Sequence, residues 1–584
     1  MNKGFTLIET LIAIGLFTII SASLYSAYSN VIDIFSASYL NLTALSAMDN
    51  EVEIIRNMPY ISVGTQGGSP SGIIPAEKNI VFGNINFVVN TFVRNVDDPF
   101  DGIQGGTPND LAPADYKLVE IEISCSICSR FIPAKMTTLI SPPGQETVTN
   151  GGTLVIKVFN ASGQPISGAN VTVVNTAVNP VVNLNDTTDS SGILKLVDVA
   201  TSSAGYAITV SKNGYSTDRT YLPGGVSNPN PLKPNATVLS QEITETSFVI
   251  DRVSTLSMRT QNEFCSGVGS IDFLQSGQKL IGTNPNVLKY SLSHATDING
   301  NTTVNNLEFD AYHFQSQDTG YEVSGFTPLT PVAVDPNGTY ALTWLMSPKG
   351  PSAIVVTVKD QDGQLVNDAN VTISKTGFSS SEYTGRKFLL DTDWSNSQYD
   401  SKSSSVEEAD PSGGLHLKLT GGKYASSSDE WLVSKTIDFG TSNTAFYNLL
   451  WNPSGQPPQT GSDSLRIQIA SNNDNSSWNF IGPDGTVNSY YSVSDSLIYS
   501  GHNSNRYLRY KVYLKTQDED YTPSLQDLTL YFNSSCIPDG QAYFSGLVQG
   551  THTITVQKTG YNNFTDTGII VDSDWEDYKL ILTN

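Results

Sequence analysis

Few residues in this chain are typed and spaced for chemistry. Cys125 and Cys128 form a C-x-x-C pair, a spacing that serves a local disulfide, free thiols or half of a metal site. A zinc site needs two further ligands close by, and Cys265, Cys536 and the histidines His294, His313, His416, His502 and His552 supply no second paired spacing. Four cysteines allow three complete connectivities, among which the sequence does not choose. Asp297-Ile298-Asn299-Gly300 and Asp360-Gln361-Asp362-Gly363 open like calcium loops but lack the downstream bidentate acid, so calcium stays open and no other cofactor is expected. The acid runs Glu407-Glu408 and Asp518-Glu519-Asp520 lie in turn-like polar sequence and read as solvated loops. No H-x-x-E, H-E-x-x-H or G-x-S-x-G pattern occurs, and an enzyme is not expected. The acid in the strangest company is Glu9, set inside an apolar run.

That run, residues 7–23 (LIETLIAIGLFTIISAS), is just long enough to span a hydrocarbon core as a helix. Six residues precede it with Lys3 their single charge, so Lys3 is expected to hold the short end in the cytoplasm and leave the bulk of the chain outside. No small-residue cleavage site follows, so the span is expected to be retained. Beyond it, Val31, Ile34, Phe35, Leu42, Leu45, Val52 and Ile55 recur at mostly helical spacing. One helix is therefore expected over residues 5–57, with its membrane half at 5–30 and a length of about 78 Å. Asn57-Met58-Pro59 should stop it.

Lys3-Gly4-Phe5-Thr6-Leu7-Ile8-Glu9 resembles the class III leader of bacterial type IV pilins and type II secretion pseudopilins. The resemblance implies a leader at 1–4, cleavage between Gly4 and Phe5 by a prepilin peptidase, and N-methylation of Phe5. It maps the family's assembly acid onto Glu9. A carboxylate in hydrocarbon costs several kcal/mol unless paired, and the N-terminal ammonium of a neighbouring subunit is a suitable partner. The helix lacks the mid-membrane proline frequent in that family, which puts local melting on assembly in doubt.

Composition limits the rest. Lys and Arg number 32 against 56 Asp and Glu, a formal charge of −24, with no basic run, so no nucleic-acid partner is expected. Charged residues are only 15% of the 584, and the polar surface is built from hydroxyls and amides. Alternating segments at 80–93, 116–124 and 130–140 read as strands of a small β head over 58–143.

Residues 154–175 recur at 354–375, and 206–215 recur at 552–561. Gly163 and Gly363 mark the same turn, and Ala169-Asn170-Val171-Thr172 is echoed by Ala369-Asn370-Val371-Thr372. These motifs are similar to carboxypeptidase regulatory-like β-sandwiches, non-catalytic modules in their family, expected here at 150–223 and, split, at 352–377 and 536–584. Another sandwich is expected at 235–347, with strands near 270–274 and 340–345. The inserted segment, 380–535, has spaced strands at 465–470, 489–491 and 507–514 and resembles discoidin-like or carbohydrate-binding jelly rolls. In its strand 507–514, alternation puts Tyr507, Arg509, Lys511 and Tyr513 on one face and Leu508, Tyr510, Val512 and Leu514 on the other. The first face is either a sandwich exterior or a seat for a sugar. Trp394, Trp431, Trp451 and Trp478 read as core or edge packing.

The expected architecture is α+β and multidomain: a long N-terminal pilin helix with a small β head, then several antiparallel β-sandwich (Ig-like or jelly-roll) domains. The resemblance implies a minor or tip pilin, or a pseudopilin, first single-pass in the cytoplasmic membrane and then on an extracellular filament. Its partners would be other pilins through the helix, prepilin peptidase, the inner-membrane assembly platform and a polysaccharide or cell-surface ligand. An unpolymerised glycan-binding adhesin is the alternative, and a tethered hydrolase a third.

Overall fold

In the computed structural model, the structure describes residues 7–128, 131–144, 146–395, 397–408, 414–426, 428–572 and 575–584, and the backbone but not the side chain of Glu9. The chain divides into two compact units: Met1–Val253 with Lys279–Lys289 and Asp335–Asn337, and the remainder.

One helix, Leu7–Arg56, opens the first unit and stops ahead of Pro59. Its apolar surface is used in two ways. Up to Leu42 the large apolar side chains, Leu11, Phe17, Leu24 and Phe35 among them, are exposed, with Leu40 half-buried. From Ala44 onward a stripe of Ala44, Ala47, Met48, Val52 and Ile55 recurs every three or four residues and is buried. The stripe lies beneath an antiparallel sheet in the order Glu77–Phe82, Ile85–Val96, Tyr116–Ser124, Ala134–Ile140. Phe87, Val89, Val93, Val119, Ile121 and Ile123 alternate inward from its two central strands to meet it. Lys78 on the edge strand pairs with buried Glu51 of the helix at 2.5 Å, and Arg56 donates from Nε to Thr138 Oγ1 at 3.0 Å.

The segment expected as one strand at 80–93 is a hairpin turned at Gly83 and Asn84, both with positive φ (55° and 63°). A two-residue turn of this kind matches the right-handed twist of the strands it joins. The strand expected at 130–140 begins at Ala134, and Arg130 lies outside the described residues.

The first sandwich also belongs to this unit. One sheet runs Asp218–Arg219, Ser202–Ser211, Asn170–Asn175, Val182–Thr187, with Ala236–Val238 also on Ser202–Ser211. The other runs Ile243–Val249, Gly152–Phe159, Ile193–Val199. Ile243–Val249, assigned from sequence to the module starting at 235, pairs in parallel with Gly152–Phe159, and Phe248 and Ile250 complete this core. Arg94 of the head bonds Asp186 through Nε at 2.6 Å, and Asn95 Nδ2 donates to Val197 O at 3.1 Å, so head and sandwich are joined by buried polar contacts.

The second unit holds three sandwiches. In the first, Ser254–Gln261 pairs in parallel with Thr339–Pro348; in the next, Ala353–Lys359 pairs in parallel with Trp575–Ile581. The sheets are therefore mixed rather than wholly antiparallel. The internal repeat extends to single bonds. Thr188 and Thr384 each accept from the backbone of the repeat's alanine, Ala169 at 3.0 Å and Ala369 at 2.9 Å. Both hydroxyls donate 2.7 Å to the carbonyl three residues before it, Ile166 and Val366. Asp360 Oδ1 accepts from Asp362 N and Gln364 N, as Asn160 Oδ1 does from Ser162 N and Gln164 N in the first copy. A neutral amide does the same work, so Asp360 is a turn cap. Asp297 Oδ1 likewise accepts from Asn299 N and Asn301 N at 2.8 Å each. Cys265 and Cys536 form a disulfide across 271 residues of chain.

The inserted sandwich packs Lys387–Asp391, Asp527–Ser534, Thr444–Asn452 and Ser496–Leu497 against a sheet centred on Tyr507–Leu514, which pairs with Glu430–Ser434, Ile437–Asp438 and Leu465–Asn472. Residues 489–491, expected as a strand, contribute only a bridge from Tyr491 to Ile467. Inside, Trp394 Nε1 donates to Tyr510 Oη at 2.7 Å, and Tyr510 donates to Asp391. His502 is buried beside Ser471 Oγ, 2.8 Å from Nδ1, and burial pushes its imidazole down to about 4. The folded state holds it neutral while the unfolded chain takes a proton below about 6.5. Its contribution is complete above that value and is lost as pH falls toward 4. Urea midpoints of the wild-type chain should therefore fall more steeply between pH 6.5 and 4 than those of His502→Gln, whose side chain does not titrate.

Candidate binding face of the inserted sandwich

The face forms on the strand Tyr507–Leu514, where period-two alternation is complete: Leu508, Tyr510, Val512 and Leu514 are buried and Tyr507, Arg509, Lys511 and Tyr513 half-buried. Registration with its neighbours adds residues that the sequence read as packing or did not single out. Trp431 on Glu430–Ser434 and Arg466 on Leu465–Asn472 both lie opposite Tyr513, on either side of it. The 473–490 segment brings Trp478, Phe480 and Tyr490 over the same face.

Cations and rings alternate across this surface. Lys511 Nζ stands 4.5 Å from the Trp431 centroid, 4.8 Å from Tyr513 and 5.9 Å from Phe480. Arg509 lies 4.5 Å over Trp478, and Arg466 4.5 Å over Tyr490. Arg509 is also tied to Asp400 at 3.0 Å and to Thr436 Oγ1 at 2.8 Å, and Arg466 to Asp429 at 2.6 Å. Among the described residues, Lys511 has no carboxylate partner in an ion pair, and burial lowers its pKa. Burial, with the neighbouring Tyr490, pushes the Tyr513 phenol up to about 12, and its hydroxyl donates to buried Gln468 Oε1 at 2.9 Å. Each ring is thus held by a cation or a hydrogen bond. Such a surface can stack on the C–H faces of a sugar and bond its hydroxyls or carboxylates.

Of the four tryptophans, Trp394 and Trp451 are buried in the core, as read from sequence, whereas Trp431 and Trp478 stand on the face. The face's extra members come from separate segments, and only the tryptophans gave any advance signal. Cys125 and Cys128 form a local disulfide closing the head strand Tyr116–Ser124. Gly4 and Phe5 lie outside the described residues, and Glu9 sits in the first turns of the helix.

Residues 1–25 match the family model of the prokaryotic N-terminal methylation motif. No curated protein matches the chain in sequence. Solved structures that match include the Bacillus anthracis TIE protein, 11% identical over 88% of this chain and 61% of that one, with a TM-score of 0.16. The chain thus spans about three-fifths of that protein's length. A Streptococcal ancillary pilin is 10% identical, covering 39% of this chain and 75% of that one, with a TM-score of 0.18. Shaft pilin spaA from Lactobacillus rhamnosus GG is 10% identical, covering 34% and 98%, with a TM-score of 0.14. Scores of this size carry no weight for the arrangement of this chain. The chain thus carries a prokaryotic N-terminal methylation motif over residues 1–25, at the start of a long apolar helix whose second half seats a small β head.

Proposed function

We propose that this protein is a minor or tip subunit of a bacterial type IV filament or a type II secretion pseudopilus. Its helix enters the filament and its sandwiches project from it. The observation that carries this reading is the division of the helix: the first half exposes apolar residues all round, and the second half is already satisfied by its own head. A surface of that length costs roughly 25 cal/mol per Å² to leave in water, which favours lipid before assembly and neighbouring helices after it. Prepilin peptidase would cut between Gly4 and Phe5 and methylate Phe5, and the inner-membrane platform would draw the helix out. Unpaired in lipid, the Glu9 carboxylate favours assembly, where a neighbour's N-terminal ammonium can meet it. The bulk of the modules beyond the head favours a tip or sparse position over a crowded shaft.

The aromatic and cationic face favours a second element of this reading, attachment to glycans or surface polymers, either from the filament or from a membrane-anchored chain that does not polymerise. Two measurements bear on the proposal. Glu9→Ala should lower the amount of the protein in sheared filaments at least about tenfold at unchanged membrane level, while mature wild-type protein begins at Phe5; equal incorporation counts against assembly through the helix. On glycan arrays probed with the full chain in detergent, Trp431→Ala and Lys511→Met should each weaken binding about tenfold, and absence of wild-type binding at millimolar glycan removes the adhesive role.

A further inference from the structure

We propose that the loop between the head strands Ile85–Val96 and Tyr116–Ser124 binds a calcium ion through Asp97, Asp110 and Asp115, and that the ion fastens the head to the first sandwich. One carboxylate oxygen from each of these residues lies within 4.8 Å of the other two. Oxygens bonded to a single calcium ion at about 2.4 Å can be no more than about 4.8 Å apart. A second set, Asp101, Asp115 and Glu146, meets the same limit and shares Asp115, so two further acids stand beside the site.

The hydrogen bonding indicates a missing partner. Asp97 is nine-tenths buried, with a side chain closed to solvent; Lys195 Nζ donates to its Oδ2 at 2.7 Å, and Oδ1 has no partner. Asp110 Oδ1 accepts from Ala112 N at 2.8 Å, and its Oδ2 is buried and bare. Asp115 Oδ2 accepts from Asp98 N, and its Oδ1 is buried and bare. Each of the three thus spends one oxygen on the protein and leaves the other without a donor. Buried carboxylates left this way are costly, and among the described residues Lys195 is the cation ion-paired with this group of five acids.

Carboxylate oxygens suit a hard cation, and calcium tolerates irregular geometry with six to eight ligands, backbone carbonyls and water completing the shell. Magnesium wants a tighter octahedron at about 2.0–2.1 Å and keeps its waters. The position gives the ion its role. Asp97 is already bonded to Lys195 on the sandwich strand Ile193–Val199, and Glu146 lies on the segment leading into Gly152–Phe159.

The test is equilibrium dialysis of the full chain in detergent against radioactive calcium. Expected is loss of one ion per chain in Asp110→Asn and in Asp115→Asn, but not in Asp360→Asn, with half-saturation of the wild type at or below about 1 mM, the range of extracellular calcium modules. No wild-type binding at several millimolar, or binding unchanged in both variants, overturns the site. Equal potency of magnesium overturns the choice of ion. In EDTA, Asp110→Asn loses a repelling charge and should melt no lower than wild type, while added calcium should raise the melting point of wild type only. A lower melting point in EDTA overturns the reading of Asp110 as uncompensated. Calcium should also slow proteolysis across 141–151 several-fold in wild type and not in Asp110→Asn; an unchanged rate overturns the fastening role.

Discussion

The contact between the second half of the helix and the head sheet decides what the rest of the chain can do. Ala44 and Ala47 are small enough to let the sheet lie close to the helix backbone, and Met48, Val52 and Ile55 fill the gap against Phe87, Val119 and Ile121. With that face covered, the head is a closed unit with its own core. The other large apolar residues of the helix up to Leu42, half-buried Leu40 apart, stay exposed among the described residues. A single helix is thus used as soluble core at one end and as an unsatisfied apolar surface at the other, and that asymmetry is what the methylation motif at its start accompanies.

The sandwiches apply one solution repeatedly. Thr188 and Thr384 pin the same corner in the two copies, and Asn160 and Asp360 cap the same turn. The second copy tolerates the large insertion because its chain leaves after the strand Phe378–Tyr383 and returns before Gln541–Ser545, leaving the parallel pairing of Ala353–Lys359 with Trp575–Ile581 intact. The Cys265–Cys536 link ties the return point to the preceding sandwich, within the same compact unit. Loop insertions that keep their ends fixed cost little free energy, and their tips are where binding surfaces are found.

Sequence alone disclosed what local periodicity controls. The strand 507–514 alternates because its residue types do, and the helix ends where Met58-Pro59 forces it to. What escaped depends on distant partners. The 80–93 segment stays apolar through its turn, so Gly83 and Asn84 were the only cue to a hairpin. Ile243–Val249 joins the first sandwich through a parallel pairing that no local pattern announces. On the candidate face, Trp431 and Arg466 meet Tyr513 only after three strands register, and their sequence neighbours say nothing of it. The buried oxygens of Asp97, Asp110 and Asp115 belong to a stretch that reads as an ordinary polar loop.

In three of the sandwiches the opening strand lies parallel to the closing one: Gly152–Phe159 with Ile243–Val249, Ser254–Gln261 with Thr339–Pro348, and Ala353–Lys359 with Trp575–Ile581. Neighbouring parallel strands carry the chain in at one end of a module and out at the other. Tension between the ends then drags the two strands past each other along their length. Every rung of the ladder is strained at once, where a hairpin would peel open one rung after another. A module built this way resists pulling between its ends in just this loading direction.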